Sequence, residues 1–268
     1  MTRYPKLAVC NFMEDTRRLL DFAREYGFDG VDWSFTRDNL PGSRQEAARL
    51  IDAISRLSPL EVRYHCFLEN TDLGHVDERE AVRATGVFRS VCELVSAAGG
   101  EILTVHIGVG RESTADLSWD KTVERLGELV GFGDSLGIRV CLENLAWGWT
   151  SRPPLFEKIL RKSGCWGTLD IGHAQVCPSV TSRAYRIEDF VAPHPDRFLN
   201  AHIYHEETAS GHMPPKEVSD VEDRLSLLAR LAGCDWWVLE LREEGALLET
   251  LAAVRTFLDG RSLQPELA

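Results

Sequence analysis

Eight short apolar segments recur along the whole chain, and this repeat constrains the fold more than any other feature of the sequence. Their lengths and the glycines around them are typical of buried strands. The stretches between them carry apolar residues at helical spacing, as in residues 13–27, which end at Gly27. The predicted strands are residues 6–12, 29–35, 61–67, 101–108, 138–145, 166–172, 198–205 and 236–242.

Eight strands that are each followed by a helix predict an α/β fold, a single (β/α)8 TIM barrel. The strands of such a barrel are buried on both faces, which explains continuous apolar runs rather than strict alternation. No linker or low-complexity segment divides the chain, so residues 1–268 are predicted to be one domain. A doubly wound sheet is the structural alternative, but Gly108-Val109-Gly110 lacks the third glycine of a dinucleotide-binding turn.

The connections after the strands matter for function, because loops on the C-terminal face of a barrel build its sites. Four of these connections are the least regular parts of the sequence: residues 68–76, 146–152, 174–186 and 206–218. The helix after the sixth strand is the least distinct, and its pattern favours residues 186–192. We therefore expect a ligand or substrate to bind at this face.

The charge and the apolar runs of the chain bear on its partners. A formal net charge of −12 disfavours a general nucleic-acid-binding protein, which needs a basic face. No apolar run approaches the roughly 20 residues of a membrane span, and the first residues lack a signal-peptide pattern. The seven cysteines show no C-x-x-C spacing, which is typical of reduced core cysteines. We expect a cytoplasmic protein without nucleic-acid or membrane partners.

Ionisable residues stand at the ends of the predicted strands from the third onward. Burying so many charged groups in a barrel mouth is costly unless something compensates, and a divalent cation is the simplest compensation. The innermost set comes from four successive strands and can converge on one point: Glu143, Asp170, His202 and Glu240. Three further histidines lie at or near strand ends: His65, His106 and His173.

Each of these residues alone also has a structural explanation. A single one could be an isolated hydrogen-bonded polar residue, and His65 or His106 could be a core histidine. Four converging ligands are harder to explain without a metal ion. Carboxylate oxygen with imidazole nitrogen suits Mn²⁺, Zn²⁺, Co²⁺ or Fe²⁺ better than Mg²⁺. Arg242, two residues after Glu240, could bind a distal hydroxyl, carboxylate or phosphate, or form a salt bridge at the rim.

Together these motifs resemble the xylose isomerase-like TIM barrel superfamily, over essentially the whole chain. This superfamily includes the sugar phosphate isomerases and epimerases and the AP endonucleases of family 2, among them endonuclease IV. The matching segments, in chain order, are RYHCFLENTDL, LTVHIG, VCLENL, TLDIGHA, NAHIYHEE with GHMPP, and WVLELRE.

The resemblance implies one divalent metal ion that is held by four ligands: Glu143, Asp170, His202 and Glu240. It also implies that Glu143 and Glu240 act as an acid/base pair. His173 matches a residue that touches substrate or a second metal ion. His65 and His106 match residues that bind extra zinc ions in endonuclease IV or line the sugar pocket of the isomerases.

Two segments after the seventh strand depart from the family pattern. Endonuclease IV carries an Asp-x-His motif there, whereas this chain has Ser210-Gly211-His212 without the aspartate. The isomerases often follow their H-x-P-P segment with Gly-x-Gly, whereas this chain has Lys216-Glu217-Val218. The first departure argues against a complete three-zinc site, and the second predicts a differently shaped loop.

The resemblance implies a metal-dependent isomerase or epimerase of a small sugar or sugar derivative. In such an enzyme Glu143 and Glu240 would transfer the proton through a metal-stabilised enediolate. The alternatives are an endonuclease IV-like phosphodiesterase, a related metal-dependent dehydratase or lyase, and a binding protein that keeps the pocket. The expected partner is a small-molecule carbohydrate, and the resemblance also allows a homo-oligomer, because relatives are often dimers or tetramers.

Overall fold

The computed structural model describes residues 4–262, and its central feature is a closed barrel of eight parallel strands. The barrel strands are β1 (Lys6–Cys10), β2 (Gly30–Phe35), β3 (Glu61–Cys66), β4 (Ile102–Val105), β5 (Arg139–Glu143), β6 (Trp166–Asp170), β7 (Phe198–Ile203) and β10 (Trp236–Leu239). Between the last two stands a separate antiparallel hairpin of β8 (Glu206–Thr208) and β9 (Gly211–Met213). The barrel strands neighbour each other in chain order, and β10 closes the ring against β1. This confirms the predicted fold class, whereas the predicted domain bounds, residues 1 and 268, lie outside the described residues.

Helices surround the barrel: α1 (Thr16–Glu25), α2 (Arg44–Ser55), α3 (Glu78–Ala97), α4 (Trp119–Ser135), α5 (Pro153–Ser163), α6 (Ile171–Val176), α7 (Pro178–Thr181), α8 (Glu222–Leu228) and α9 (Glu244–Ser262). Asp15, Ser43 and Ser118 accept hydrogen bonds from backbone N–H groups in the first turns of α1, α2 and α4. These caps satisfy donors that have no partner within the helix. Over residues 4–262, no helix combines the length and the apolarity that crossing a membrane requires.

The interior of the barrel is packed separately from the apolar layer between strands and helices. Trp236 of β10 lies inside and is fully buried, and Gly30 of β2 leaves room for it. A β-carbon on Gly30 would lie 2.2 Å from the Trp236 ring, which is closer than any side chain can approach. At the same level Asn200 donates to the hydroxyl oxygens of Thr104 and Thr168, which are 2.8 Å apart. This packed layer separates the N-terminal end of the barrel from its C-terminal mouth.

The predicted helix over residues 186–192 is wrong, because the main helix after β6 starts much earlier. α6 begins at Ile171, directly after β6, and Ile187–Phe190 form only a short 3₁₀ turn. Asp170 accounts for the early start: it ends β6 and accepts the backbone N–H of His173 at 2.6 Å, as a helix cap does. The continuous apolar run had predicted a longer strand, because a buried helix start and a buried strand look alike in sequence.

Candidate metal centre at the mouth of the barrel

Four ionisable side chains from successive barrel strands meet at the C-terminal mouth. Glu143 and Asp170 end β5 and β6, His202 lies in β7, and Glu240 directly follows β10. His202 Nδ1 lies 3.1 Å from Glu143 Oε2 and 3.0 Å from Glu240 Oε2. One nitrogen or carboxylate oxygen from each of the four residues lies within 4.8 Å of the others. The structure thus brings together all four residues that were predicted as metal ligands.

Several buried atoms of this cluster lack hydrogen-bond partners. Among residues 4–262, neither carboxylate oxygen of Glu143, neither ring nitrogen of His202 and not Oδ2 of Asp170 makes a hydrogen bond. Buried polar atoms are normally paired, since an unpaired one costs about 1–3 kcal/mol. Converging carboxylate oxygens with an imidazole nitrogen are the donors that Mn²⁺, Zn²⁺, Co²⁺ or Fe²⁺ takes. The residues present therefore fit a divalent cation of this class.

Electrostatic interactions within the cluster also attract positive charge. Burial raises the pKa of Glu143, but His202 and His106 outweigh burial and hold that pKa well below its usual range. Burial lowers the pKa of His202, but Glu143 and Glu240 outweigh burial and hold that pKa well above its usual range. The carboxylates therefore keep a proton on His202, as expected where acidic groups surround a position for a cation.

His65 and His106 form a second group beside Glu143. The two Nε2 atoms lie 3.2 Å apart, and they lie 3.5 Å and 3.2 Å, respectively, from Glu143 Oε2. His106 Nδ1 lies 3.3 Å from the carbonyl oxygen of Cys66, an acceptor that favours the proton on Nδ1 and the lone pair on Nε2. Burial lowers the pKa of His65 to about 3, so its ring is neutral. Two imidazole nitrogens and one carboxylate oxygen can hold a cation, with Glu143 shared between both groups.

His173 belongs to a third group, together with two residues of the β8–β9 hairpin. His173 Nε2 lies 3.3 Å from Glu207 Oε2, and Glu207 is paired with His212 across the hairpin. His212 Nδ1 donates to the carbonyl oxygen of Glu240 at 2.6 Å, and its ring stacks on Tyr204 with centroids 3.8 Å apart. Glu207 thus supplies a carboxylate beside His212, in a segment where the sequence pattern lacked an aspartate.

A buried aspartate on β2 was missed by the sequence analysis. Asp32 is only 1% exposed, and its carboxylate lies 3.8 Å from His65 Nδ1. Neither of its oxygens makes a hydrogen bond within residues 4–262. Burial raises the pKa of Asp32 to about 6. The available signal was the alternation in β2, which puts Asp32 on the same inward face as Gly30 and Ser34, although Asp32 does not stand at the end of the strand.

Two arginines near the mouth differ in their surroundings. Arg242 is exposed at the rim and makes no hydrogen bond or ion pair with any residue between 4 and 262, so its predicted role as a substrate anchor stays a prediction. Arg224, which the sequence analysis did not single out, is buried and donates to the carbonyl oxygens of Ile171 and His205. Arg224 thereby ties the start of α6 to the base of the hairpin.

Comparisons with known proteins add the family context. The sequence profile of a family described as Xylose isomerase-like TIM barrel matches residues 20–258. The uncharacterized protein MJ0008 of Methanocaldococcus jannaschii is 25% identical over 184 residues, which are 69% of this chain and 76% of that protein. The crystal structure of a D-tagatose 3-epimerase-like protein superposes with a TM-score of 0.75 and 17% identity, over 97% of this chain and 100% of the other. Endonuclease IV from Thermus thermophilus superposes with a TM-score of 0.65 and 15% identity, over 96% and 100% of the two chains.

Proposed function

The chain belongs to the xylose isomerase-like TIM barrel family, and on that premise we propose that it is a metal-dependent isomerase or epimerase of a small sugar or sugar derivative. The observation that carries this proposal is the pair of carboxylates on either side of His202. Glu143 and Glu240 both approach His202 Nδ1, from strands β5 and β10 that are separated in the barrel by β6 and β7. Two carboxylates that reach one position from different sides are what a reversible proton transfer at a carbon atom needs.

The residues that would hold the ion are Glu143, Asp170, His202 and Glu240. When bound, such an ion supplies a Lewis acid that polarises a substrate carbonyl and stabilises the negative charge that develops on its oxygen. The cap that Asp170 forms at the start of α6 keeps its Oδ1 engaged and leaves Oδ2 without a hydrogen bond among residues 4–262, at 3.2 Å from His173 Nδ1. The fold thus holds this ligand before any ion arrives, which lowers the cost of ordering the site.

Glu143 and Glu240 differ in their access to solvent, which suits different parts of a proton transfer. The Glu143 side chain is 1% exposed, whereas that of Glu240 is 15% exposed at the mouth. Burial raises the pKa of each carboxyl, but opposing histidines outweigh burial and hold both pKa values well below their usual range, so both are ionised bases. In the proposed reaction one carboxylate removes the proton next to the carbonyl. The other must take up a proton before it returns one to the opposite face or to the adjacent carbon, and Glu240, which is 15% exposed, can take that proton from solvent.

A phosphodiesterase like endonuclease IV is the second candidate, because two further groups could hold cations. The first is His65, His106 and Glu143, and the second is His173, Glu207 and His212. Several ions around one phosphate are a recurrent solution for phosphodiester cleavage. The net charge of −12 disfavours a nucleic-acid substrate, so we rank this candidate second. A dehydratase or lyase would share the first proton removal and would be distinguished by its product.

Metal content of the purified protein is the first test, with Glu240→Gln and the exposed Glu249→Gln as matched variants. We expect about one ion of Mn, Zn, Co or Fe per chain in the wild type, retention in Glu249→Gln and a marked loss in Glu240→Gln. Epimer or aldose–ketose formation from a panel of small sugars then tests the reaction. A protein that binds none of these ions after reloading would contradict the proposal, and phosphodiester cleavage with two or three ions would favour the second candidate.

A further inference from the structure

Asp32 is a buried carboxylate that the proposed reaction does not use. It lies inside the barrel on β2, below the mouth, and no residue between 4 and 262 makes a hydrogen bond to either of its oxygens. Such a group is costly to bury, and native proteins retain one where it serves a purpose other than stability. Its position relative to the histidines of the mouth indicates that purpose.

The neighbours of Asp32 in the sheet do not neutralise it. Arg63 is its register partner on β3, but the Arg63 guanidinium extends toward the N-terminal end and donates to Asn200 and Asp235. Cys10 is its register partner on β1, but the Cys10 thiol donates to the carbonyl oxygen of Leu241. Asp32 is therefore not one member of a structural ion pair, although a cationic side chain starts next to it.

The polar groups around Asp32 include the imidazoles of His65 and His202, together with the indole N–H of Trp236 and the carboxylate of Glu240. The Asp32 carboxylate lies 3.8 Å from His65 Nδ1, and one of its oxygens lies within 4.8 Å of a ring nitrogen of His202. His65 Nε2 lies 3.5 Å from Glu143, and His65 Nδ1 also lies 3.5 Å from Glu240 Oε1. The Nδ1 atom of His202 faces Glu143 and Glu240. A shift of the Asp32 carboxylate by about 1 Å would bring His65 Nδ1 into hydrogen-bond range, and one bridging water would span the longer distance to His202.

We infer that Asp32 is a positioning residue, which accepts the Nδ1–H of His65 and the Nε2–H of His202. His65 then keeps its lone pair on Nε2, and His202 would present its lone pair on Nδ1 once a bound ion replaces the proton that the carboxylates hold there. Histidines that bind metal ions usually donate their second ring N–H in this way, and loss of the acceptor typically weakens metal binding by about 10–100-fold. The inference rests on the proposed metal-dependent function.

The test compares Asp32→Asn with Asp72→Asn in the full chain. Asp72 is the matched control, because it is also buried, but it accepts the N–H of Gly108 at 2.7 Å and pairs with Arg111, outside the metal groups. Two quantities are measured at pH 8: the affinity for Zn²⁺ by competition with a chelator, and the melting temperature of the metal-free protein. A third is the tautomer of His65 in the metal-free protein, from long-range ¹H–¹⁵N spectra that His65→Gln assigns.

For Asp32→Asn we expect zinc affinity to fall by about 10–100-fold, while the melting temperature of the metal-free protein stays equal or rises. His65 should change from the Nδ1–H form to a mixture of tautomers. For Asp72→Asn we expect a lower melting temperature and unchanged zinc affinity. Unchanged zinc affinity in Asp32→Asn would overturn the inference, and so would a lowered affinity that comes with a lowered melting temperature and an unchanged His65 tautomer.

The measurements also separate this inference from the proposed function. If the wild type binds no divalent ion, the proposed function fails, and an unchanged His65 tautomer in Asp32→Asn would then overturn the inference as well. If zinc binds and depends on Asp32 but no sugar is converted, the proposed reaction fails while the inference stands.

Discussion

The two ends of the barrel both bury charged groups, but the group at the N-terminal end has hydrogen-bond partners, whereas several polar atoms at the mouth do not. At the N-terminal end Arg63 donates to the carbonyl oxygen of Leu199, to Asn200 and to Asp235, and its guanidinium lies 4.7 Å from the centre of the Trp236 ring. At the mouth, polar atoms of Glu143, His202 and Asp32 lack such bonds within residues 4–262. A satisfied buried charge holds the fold together, whereas an unsatisfied one costs stability and is available to a ligand.

This difference agrees with the functional difference between the two faces that is typical of TIM barrels. Residues at the C-terminal face serve chemistry, and residues at the N-terminal face serve stability. Here the packed layer around Trp236 and Asn200 separates the two sets, although they lie on the same strands. Substitutions at the two ends should therefore affect different measurements, and this expectation can be tested directly.

The largest expected effect is on activity at the mouth. Glu143→Gln should lower kcat/KM of the proposed reaction by about 10²–10⁴-fold, because a general base and a metal ligand are lost together. The same variant should also bind the metal ion more weakly, because Glu143 is one of the four proposed ligands. Steady-state kinetics and metal content check the two halves. Unchanged activity together with unchanged metal content would contradict the comparison between the ends.

The next effect is on stability at the N-terminal end. Arg63→Met should lower the free energy of unfolding by about 3 kcal/mol, because it leaves the buried acceptors of Arg63 unpaired, while metal binding is kept. Arg139→Met is the control, because Arg139 starts β5 at the same end of the barrel. Among residues 4–262 its side chain forms one exposed ion pair, with Glu101 at 3.7 Å. That substitution should cost less than about 1 kcal/mol. Urea unfolding measures the free energy of unfolding of both variants. Equal losses in the two variants would contradict the distinction between buried charges with hydrogen-bond partners and exposed charges.

The smallest effect concerns an ion-pair group outside the barrel. Hydrogen bonds from Lys121 and Arg125 lower the pKa of Glu78 below its ordinary value of 4.5. Because the folded-state pKa is the lower one, this group stabilises the protein above pH 4.5, and the contribution is lost as the pH falls through the folded-state value. Glu78→Gln should therefore lower the melting temperature slightly at pH 7 and not in acid, with Glu93→Gln on the same helix as the control.

High salt should reduce the effect of Glu78→Gln, because these charges are exposed to solvent. A difference between Glu78→Gln and the wild type that persists in acid and in high salt would mean that Glu78 acts by packing instead. The ion pairs of Glu78 with Lys121 and Arg125 therefore serve as a solvent-exposed reference for the buried hydrogen bonds of Arg63. Their charges have partners, but Glu78 is little buried.

The sequence by itself determined the order of strands and helices and the residues that end the strands. Apolar runs of strand length, separated by helical patterns, allow few architectures, and a parallel barrel sends every strand end to the same face. For that reason Glu143, Asp170, His202 and Glu240 could be predicted to lie together, although 97 positions separate the first from the last. The inward or outward direction of each side chain follows from the two-residue repeat of a strand.

Only the tertiary structure decided the features that depend on contacts between distant segments. The early start of α6 depends on Asp170 acting as a cap, and the place of Glu207 depends on a hairpin that folds His212 back to the carbonyl group of Glu240. Whether Asp32 would pair with Arg63 or stay free beside His65 depends on where the Arg63 guanidinium finds its acceptors. Local sequence patterns carry no record of such choices, because each one is set by which partners the closed barrel brings within reach.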